Sequence, residues 1–468
     1  MSLEALPRPD QGLFPTDQEY DSLLGRRNRK AQSFKVFCLL MLTIAVVALA
    51  TLLYTIVNDS FGLVAVVNQN DPDDVVASLG HDPETTTLND LSYDELVGLL
   101  EANVSSGVGR RLERDQRFYE DRLVFESDEV WDEICSSNEP PAGCTRGPRN
   151  TADVFSLVQE RVIVPDVIAS YPLAQSIVNP GAFEQEVAAG FEAGRFGDYT
   201  ADQASIEWRA WFNTTFLLAP ASATPEIAGI RTAILGSVWL VVITVIFAVP
   251  VGVGAAIYLV EFAKPSRFND FVQTNINNLA GVPSIIYGML GLAILVRVLE
   301  PFTSGAIFTT GPAPSDNGRT VLSAGITLGL LTLPVVIISS QEALKAVPDS
   351  LRQAGLALGA TRWQTVRSQI LPVAMPGVLT GTILAVARAV GETAPLILVG
   401  AASFITADPT GPFSKFTALP IQIFQWTSFP QEEFRNIAAA ASIALLILLL
   451  VLNAFAVILR NRYSRRIP

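Results

Sequence analysis

Long apolar stretches constrain what this chain can fold into more than any other feature of its sequence. Half of its 468 residues are hydrophobic. Val36 to Val57 is an uncharged run of about 22 residues, long enough to cross the hydrocarbon core of a bilayer as a helix. Five further apolar stretches follow, so we predict an all-α polytopic membrane protein with six transmembrane helices. The five later stretches are 230–258, 282–299, 321–340, 376–405 and 437–459.

Basic residues near both ends of the chain predict its orientation. Short segments rich in Lys and Arg stay on the cytoplasmic side of a membrane, so residues 1–35 form a cytoplasmic tail and the C-terminal end also lies inside. The first apolar run, 36–57, is longer than the core of a signal peptide and is expected to remain as an uncleaved helix. The basic residues are Arg26, Arg27, Arg29, Lys30 and Lys35 at one end and Arg460, Arg462, Arg465 and Arg466 at the other.

The segment 58–229 differs from the rest of the chain in charge and in periodicity. It holds about 30 acidic and 10 basic residues, a local net charge near -20. Short helical patterns separated by Gly, Pro and Asp predict a mostly helical extracytoplasmic domain, inserted between helices 1 and 2. Its negative charge repels nucleic acid, which is therefore excluded as a partner.

Histidine and cysteine restrict the chemistry open to the chain. His81 is the single histidine, so the chain has almost no residues from which a histidine metal site or a Ser-His-Asp triad could be built. We expect no metal, no cofactor and no catalytic residue. Cys135 and Cys144 lie close enough in sequence for a disulfide if their side of the membrane is oxidising, and the bonded and free states both stay open. Cys38 lies in an apolar run and behaves as a small hydrophobic residue.

A polar stretch from Gln341 to Pro376 separates two apolar runs and carries apolar residues at helical spacing. Gly359 provides a break at which a second short helix can turn away from the first. We therefore predict a helix-turn-helix hairpin at the membrane surface, and an exposed apolar stripe on such a hairpin indicates a docking site. The stripe consists of Leu351, Ala354 and Leu358 before the break and Trp363, Val366 and Ile370 after it.

This stretch resembles the EAA loop of ABC importer permeases. The family pattern is E-A-A, three residues, G, nine residues, I-x-L-P, and its spacing is kept in full from Gln353 to Pro372. Gln353, Gly355 and Gln369 stand where the family usually has Glu, Ala and Ile. The resemblance implies that 341–375 is a cytoplasmic coupling loop that docks on an ATPase. The residues that it assigns to coupling are Leu351, Gln353, Ala354, Gly355, Leu358, Gly359, Trp363 and Pro372.

A second resemblance concerns the substrate. The run ARAVGETAPL, from Ala387 to Leu396, is similar to the signature of A-type permeases of phosphate-specific ABC importers. The two resemblances together cover about residues 229–465 and imply that 230–465 has the type I ABC importer permease fold. They also imply a permease subunit of an ATP-driven phosphate importer in the bacterial inner (plasma) membrane.

The same resemblance implies a set of partners. They are a second phosphate permease subunit, a dimer of ATP-binding subunits and an external phosphate-binding protein, besides membrane lipid. The acidic domain 58–229 lies outside the resemblance. It is either a docking or gating element that faces the binding protein or a scaffold packed on the helical bundle.

Arg388 and Glu392 fall near the middle of the fifth apolar run, four residues apart and so on one helical face. A charge at this depth costs on the order of 2.5 to 3.5 kcal/mol on an insertion scale, so the pair must face a polar cavity or a partner. The pair is either a salt bridge that fixes helix packing or a site where Arg388 meets a phosphate oxyanion and Glu392 orients it. Thr393 can add a hydroxyl donor or bond its own backbone.

Other classes of membrane protein explain less of this sequence than an importer permease does. The chain has no G-x-x-x-x-G-K-[ST] loop, so ATP must be hydrolysed by another subunit. A membrane receptor with an extracytoplasmic sensor domain would not need four further spans and an EAA-like loop. An intramembrane hydrolase would need a nucleophile-base pair or a metal site within the spans, and the sequence offers neither. The sister phosphate permease and a permease for another oxyanion stay open.

Overall fold

The structure is a computed structural model that describes residues 17–83, 85–103, 155, 158–197, 199–222, 225–308, 318–401, 405 and 408–464. The chain divides into two compact units, Met1–Ile56 and Val57–Pro468. A helix Asp17–Asp59 begins in the first unit and ends just inside the second. The hydroxyls of Thr43, Thr51 and Thr55 each donate to the carbonyl four residues earlier, so these polar groups are satisfied within the helix.

Five helices among the described residues are long and apolar enough to cross a membrane, and a bent helix pair raises the number to six if it is counted as one span. The prediction of a helical, polytopic membrane protein is confirmed. We number the spans one to six in chain order: Ala31–Asp59, Arg231–Phe262, the pair Arg267–Ala280 and Ser284–Val298, Val321–Lys345, Arg362–Val390, and Glu433–Arg462.

Two of the spans are interrupted. The third bends by 108° between its two helices, and the hydroxyl of Tyr287 donates to the carbonyl of Leu279 across the bend at 2.9 Å. The fifth was predicted to continue to residue 405, but its helix ends at Val390 and short helical pieces resume only at Ala394. Irregular backbone at membrane depth is tolerated only where it is buried in protein or lines a cavity. Both breaks are therefore expected to be buried in protein or to line a cavity.

The fourth span lies between the second and the fifth and packs closely against both. At five positions a glycine comes so near the opposite helix that an added Cβ atom would lie 2.2–2.7 Å from it. Small residues of this kind allow helix backbones to approach closely in a membrane. The three spans therefore form one tightly packed group. The contacts are Gly252 with Val336, Gly325 with Ile243, Gly329 with Phe247, Gly377 with Ala343, and Gly381 with Ser339.

The acidic segment contains a sheet that its helical patterns did not lead us to expect. Strand β1, Phe61–Asn68, pairs antiparallel with both β2, Pro165–Pro172, and β3, Ala204–Ala210. More of the described residues of this segment are in helices than in strands, as predicted. The segment's α-helices are Pro72–Ser78, Tyr93–Asn103, Leu173–Val178, Pro180–Glu192 and Thr214–Leu218.

The sheet packs on one end of the bundle, which we call the sheet end; the opposite end, with residues 346–370, is the hairpin end. Val64, Val66 and Val167 on one face of the sheet share a core with residues of the second and sixth spans. The other face is covered through Phe183 and Val187. The remaining α-helices of the bundle are Arg231–Ile257, Glu300–Thr303, Asp349–Ala357, Arg362–Thr365, Leu371–Val390, Leu419–Thr427 and Glu432–Ser464.

An ion pair joins two segments at the sheet end. Arg231, the first residue of the second span, lies with its Nε atom 2.9 Å from Oδ2 of Asp408. The hydroxyl of Thr232 donates to the other oxygen of Asp408 at 2.7 Å. The start of the second span is thereby fixed to the segment that connects the fifth and sixth spans.

A buried carboxyl group lies beside the sheet. Glu226 accepts a hydrogen bond from the backbone N–H of Val167 at 3.3 Å, and its own carbonyl accepts one from Arg209 at 2.6 Å. The Arg209 guanidinium lies over the ring of Trp211, 4.6 Å from its centre. Burial raises the pKa of Glu226 from its ordinary 4.5 to about 7, although the neighbouring Arg209 favours the charged form. The carboxyl group therefore titrates near neutrality.

This pKa predicts a pH-dependent stability. Between pH 4.5 and about 7 the folded protein binds more protons at Glu226 than the unfolded chain does, so its stability falls as pH rises through this window. We expect the thermal unfolding midpoint, followed by tryptophan fluorescence in detergent, to be a few degrees higher at pH 5.5 than at pH 8. Glu226→Gln should raise the midpoint at pH 8 and flatten the profile. Glu207→Gln, at a half-exposed position on β3, is the matched control. An unchanged profile in Glu226→Gln would contradict the assignment.

Candidate functional site

Arg388 and Glu392 meet where the fifth span breaks. Nε of Arg388 lies 3.3 Å from Oε1 of Glu392. The Arg388 side chain is 56% exposed in the single chain, whereas Glu392 is 19% exposed. Among the described residues no protein group accepts a hydrogen bond from the two terminal nitrogens of Arg388. The carboxylate thus holds one side of the guanidinium and leaves its other donors available.

The depth of Arg388 follows from the packing of the fourth and fifth spans. Gly377 of the fifth span contacts Ala343 of the fourth, and Gly381 contacts Ser339. Moving four residues forward on the fifth span therefore corresponds to moving four residues backward on the antiparallel fourth span. Both helices rise equally per residue, which brings Arg388 level with about Thr332. That position is near the middle of the span Val321–Lys345. The pair therefore lies about halfway through the bundle.

The second helix of the third span packs against the short helix Ala394–Leu396, which follows the break of the fifth span. A Cβ atom added to Gly288, in the second helix of the third span, would lie 2.6 Å from Cα of Pro395. Their neighbours Tyr287 and Leu396 belong to one buried hydrophobic cluster. The half-buried hydroxyl of Thr393 has no hydrogen-bond partner among the described residues. The region combines an available cation, an available hydroxyl and interrupted backbone.

These groups can bind an oxyanion. A guanidinium offers parallel N–H donors that match two oxygens of a phosphate-like group. Within the described residues no cluster of three or more His, Cys, Asp or Glu side chains is placed to hold a metal ion. Cys135 and Cys144 lie outside the described residues, so the bonded and the free state both stay open.

The predicted hairpin is present at the other candidate site. Its first helix, the coupling helix, runs from Asp349 to Ala357 and is followed by Gly359 in the left-handed conformation, with φ of 79°. A second helix, Arg362–Thr365, begins after Thr361, whose hydroxyl accepts from the N–H of Gln364. The break at Gly359 is confirmed.

The apolar stripe of the hairpin is exposed only in part. Val366 and Ile370 were expected on the docking surface but are buried among residues of the second, fourth and fifth spans. They cannot contact another protein, because the second helix continues into the fifth span and turns this side towards the bundle. Leu358, 89% exposed, lies with the exposed Leu356 and Trp363 on the free side.

The remaining coupling residues divide between the surface and the bundle. Leu351 packs against the buried ends of the spans, whereas Gln353, Ala354 and Pro372 are exposed. Gly355 faces Thr365, and a Cβ atom at this position would lie 2.7 Å from Cγ2 of Thr365. The threonine thus occupies the space that the alanine of the family pattern would need.

Sequence reasoning missed Arg352 and Glu261. Nη2 of Arg352 lies 2.9 Å from Oε1 of Glu261, at the end of the second span, and the hydrogen bond raises the pKa of Arg352 further above its ordinary value. The two residues are 91 positions apart, so no local pattern pairs them. The only signal in the sequence was that the two residues carry opposite charges and both belong to segments predicted to lie on the cytoplasmic side.

The Gly355 contact predicts a compensated pair. Gly355→Ala should loosen the hairpin because Thr365 is buried and cannot move aside, which we expect to cost on the order of 1 to 3 kcal/mol. Hydrogen exchange of residues 349–365 would show faster exchange in Gly355→Ala. The double variant Gly355→Ala/Thr365→Ala should recover part of the loss, and Gly98→Ala, where a Cβ atom meets nothing, is the control. Native-like exchange in the single variant would contradict the packing.

Comparison with known proteins places the chain in a family. Residues 248–467 match the family described as binding-protein-dependent transport system inner membrane component. The chain is 33% identical over 229 residues to the phosphate transport system permease protein PstA of Yersinia pestis, covering 49% of this chain and 71% of that protein. It is 31% identical over 265 residues to PstA 1 of Mycobacterium tuberculosis (strain CDC 1551 / Oshkosh), covering 55% and 81%.

Two further proteins are similar to this chain. The probable ABC transporter permease protein YqgI of Bacillus subtilis is 32% identical over 222 residues, which are 47% of this chain and 65% of that protein. The chain thus spans a little less than two thirds of this relative. A bacterial alginate ABC transporter, solved with its alginate-bound periplasmic protein, aligns with 63% of this chain and 94% of the matched chain at 16% identity and a TM-score of 0.40. On the relatives and the matched domain, the chain belongs to the family of binding-protein-dependent transport system inner membrane components, the multi-pass permeases of ABC importers.

Proposed function

We propose that this chain is the A-type permease subunit of an ATP-driven importer of inorganic phosphate. The observation that carries the proposal is the Arg388 guanidinium, which lies halfway through the bundle with donors that no described protein group uses. The names of the relatives in Yersinia and Mycobacterium support phosphate as the substrate.

The exposure of Arg388 supports a second permease as a partner. A charged side chain at this depth would cost several kcal/mol in contact with lipid, so its face must meet protein or water. In the second half of the fifth span the exposed residues are Leu384 and Arg388, four residues apart and so on one helical face. A second permease subunit on this face would enclose the path between the two chains.

Arg388 and Glu392 then have separate roles. A phosphate oxyanion approaching along the path would accept two hydrogen bonds from the terminal nitrogens of Arg388, and Thr393 would add a hydroxyl donor. Glu392 keeps the guanidinium oriented when the path is empty, and its negative charge prevents the anion from being held too tightly to leave.

ATPase subunits are the expected partners at the hairpin. The chain carries no phosphate-cradling loop for ATP, and Leu356, Leu358 and Trp363 expose apolar surface next to the coupling helix. Closure of an ATPase dimer would displace this surface as a rigid body. An external phosphate-binding protein would deliver the substrate at the sheet end, which we place outside the cell.

The orientation predicts opposite labelling of two positions. With the native cysteines replaced by Ser, Glu192→Cys should react with a membrane-impermeant maleimide on intact cells, because this exposed residue lies in the acidic domain. Ala357→Cys, exposed on the coupling helix, should react only after permeabilisation. The reverse pattern would place both chain termini outside.

The substrate is tested by ATP-dependent uptake of labelled phosphate into vesicles that contain the assembled complex. We expect Arg388→Gln to reduce uptake by at least about tenfold, since charge-assisted hydrogen bonds to the anion are lost, while assembly is retained. Arg297→Gln, an exposed arginine near the end of the third span, should have little effect. Excess sulfate should not compete.

Each part of this experiment can contradict the proposal. Undiminished uptake in an assembled Arg388→Gln complex would reduce the Arg388–Glu392 pair to a packing role. Uptake abolished by sulfate would indicate a permease for another oxyanion, and no uptake of phosphate by the native complex would remove phosphate as the substrate.

A further inference from the structure

All five N–H groups of the Arg352 guanidinium have acceptors within reach. Nε and Nη2 donate to Oε1 of Glu261 at 3.2 and 2.9 Å. Nη1 donates to the carbonyl of Val347 at 2.7 Å and to Asp349 at 2.9 Å, and Nη2 donates to the carbonyl of Leu344 at 2.8 Å. The side chains of Arg352 and Glu261 are only 20% and 10% exposed, so water competes little for the bonds between them, whereas Asp349 is exposed.

The acceptors belong to three different elements. Glu261 lies in the last turn of the second span, Tyr258–Phe262. Leu344 lies in the last turn of the fourth span, where helix carbonyls lack partners within the helix and attract a cation, and Val347 lies just after the span. Asp349 opens the coupling helix that carries Arg352 itself. One side chain therefore joins the ends of two spans to the coupling helix.

We propose that Arg352 is a positioning residue that makes the coupling helix and the ends of the second and fourth spans move as one body, so that displacement of the hairpin reaches the substrate path. The proposal rests on the proposed function, since it concerns how ATP hydrolysis is linked to transport.

Close packing also connects the fourth span to the fifth span, which carries Arg388. The fourth span touches the fifth at Gly377 and Gly381, with no space for a Cβ atom at either contact. Seven residues after Gly381 the fifth span carries Arg388. Only residues 346–348 separate the fourth span from the coupling helix, and Arg352 donates to the carbonyl of Leu344 before this link and to that of Val347 within it. Without Arg352, the link would be free to bend when the ATPase moves the hairpin.

The chemistry of arginine allows a graded test. Lysine keeps the charge but has three donors on one nitrogen, so it can hold Glu261 or the carbonyls but not both in the same geometry. Glutamine removes the charge. Lys345 offers a matched control, because it ends the same span and pairs with Glu342 in an exposed ion pair at 2.9 Å.

The experiment measures phosphate uptake and ATP hydrolysis on the same proteoliposomes of the assembled complex. In Arg352→Gln we expect hydrolysis within about twofold of the native rate and phosphate transported per ATP reduced about tenfold or more. Arg352→Lys and Glu261→Gln should give intermediate ratios, and Lys345→Gln a native ratio. A native ratio in Arg352→Gln would overturn the proposal. So would a parallel loss of uptake and hydrolysis in all three variants, since a merely structural contact predicts that result.

A second measurement does not depend on the substrate. In a cysteine-free background, spin labels at Ala357→Cys and Lys264→Cys report the distance between the coupling helix and the end of the second span. We expect one narrow distance that ATP does not change in the native complex, and a broad or ATP-dependent distribution in Arg352→Gln. A distance that changes with ATP in the native complex would overturn the proposal. Absence of phosphate uptake with a constant distance would contradict the proposed substrate and leave Arg352 in its role.

Discussion

The close packing of the fourth span between the second and the fifth is the constraint on which the rest of this bundle depends. Helices in lipid gain little from hydrophobic burial against each other, so they rely on close contact and on satisfied polar groups. Here glycines on all three spans bring the backbones together, and the fourth span is the most buried of the five unbroken spans. This packing fixes the depth of Arg388 and sets where the hairpin leaves the membrane.

The sequence predicted the parts of this architecture that depend on local pattern. Uncharged runs indicated the spans, and the hairpin break followed from Gly359, where only glycine adopts the left-handed backbone without strain. The sheet was missed because β1 directly follows an apolar helix, and a short apolar run cannot be assigned to strand or helix by periodicity alone. Its partners β2 and β3 lie about a hundred residues or more away, so their pairing depends on tertiary contacts.

The candidate site shows the same division. The spacing of Arg388 and Glu392 was enough to predict that they lie together. Their predicted place on one helical face was wrong, because the helix ends at Val390, before Glu392. The break at Gly391 was not predicted, because the run 376–405 was taken as one span although Gly391, Glu392 and Thr393 interrupt its apolar composition. The residues after the break contact the third span at Gly288, a tertiary contact that no local pattern indicates. Burial of Val366 and Ile370 escaped prediction for a related reason, since a helical stripe does not reveal which neighbour it faces. The contact of the sheet with the bundle, in turn, favours the scaffold interpretation of the acidic domain.

The second span is held by an ion pair at each end, Arg231 with Asp408 at the sheet end and Glu261 with Arg352 at the hairpin end. Both pairs are at 2.9 Å, and each partner belongs to a segment outside the span. A movement of the second span along its own axis must therefore carry Asp408 and Arg352 with it or break an ion pair.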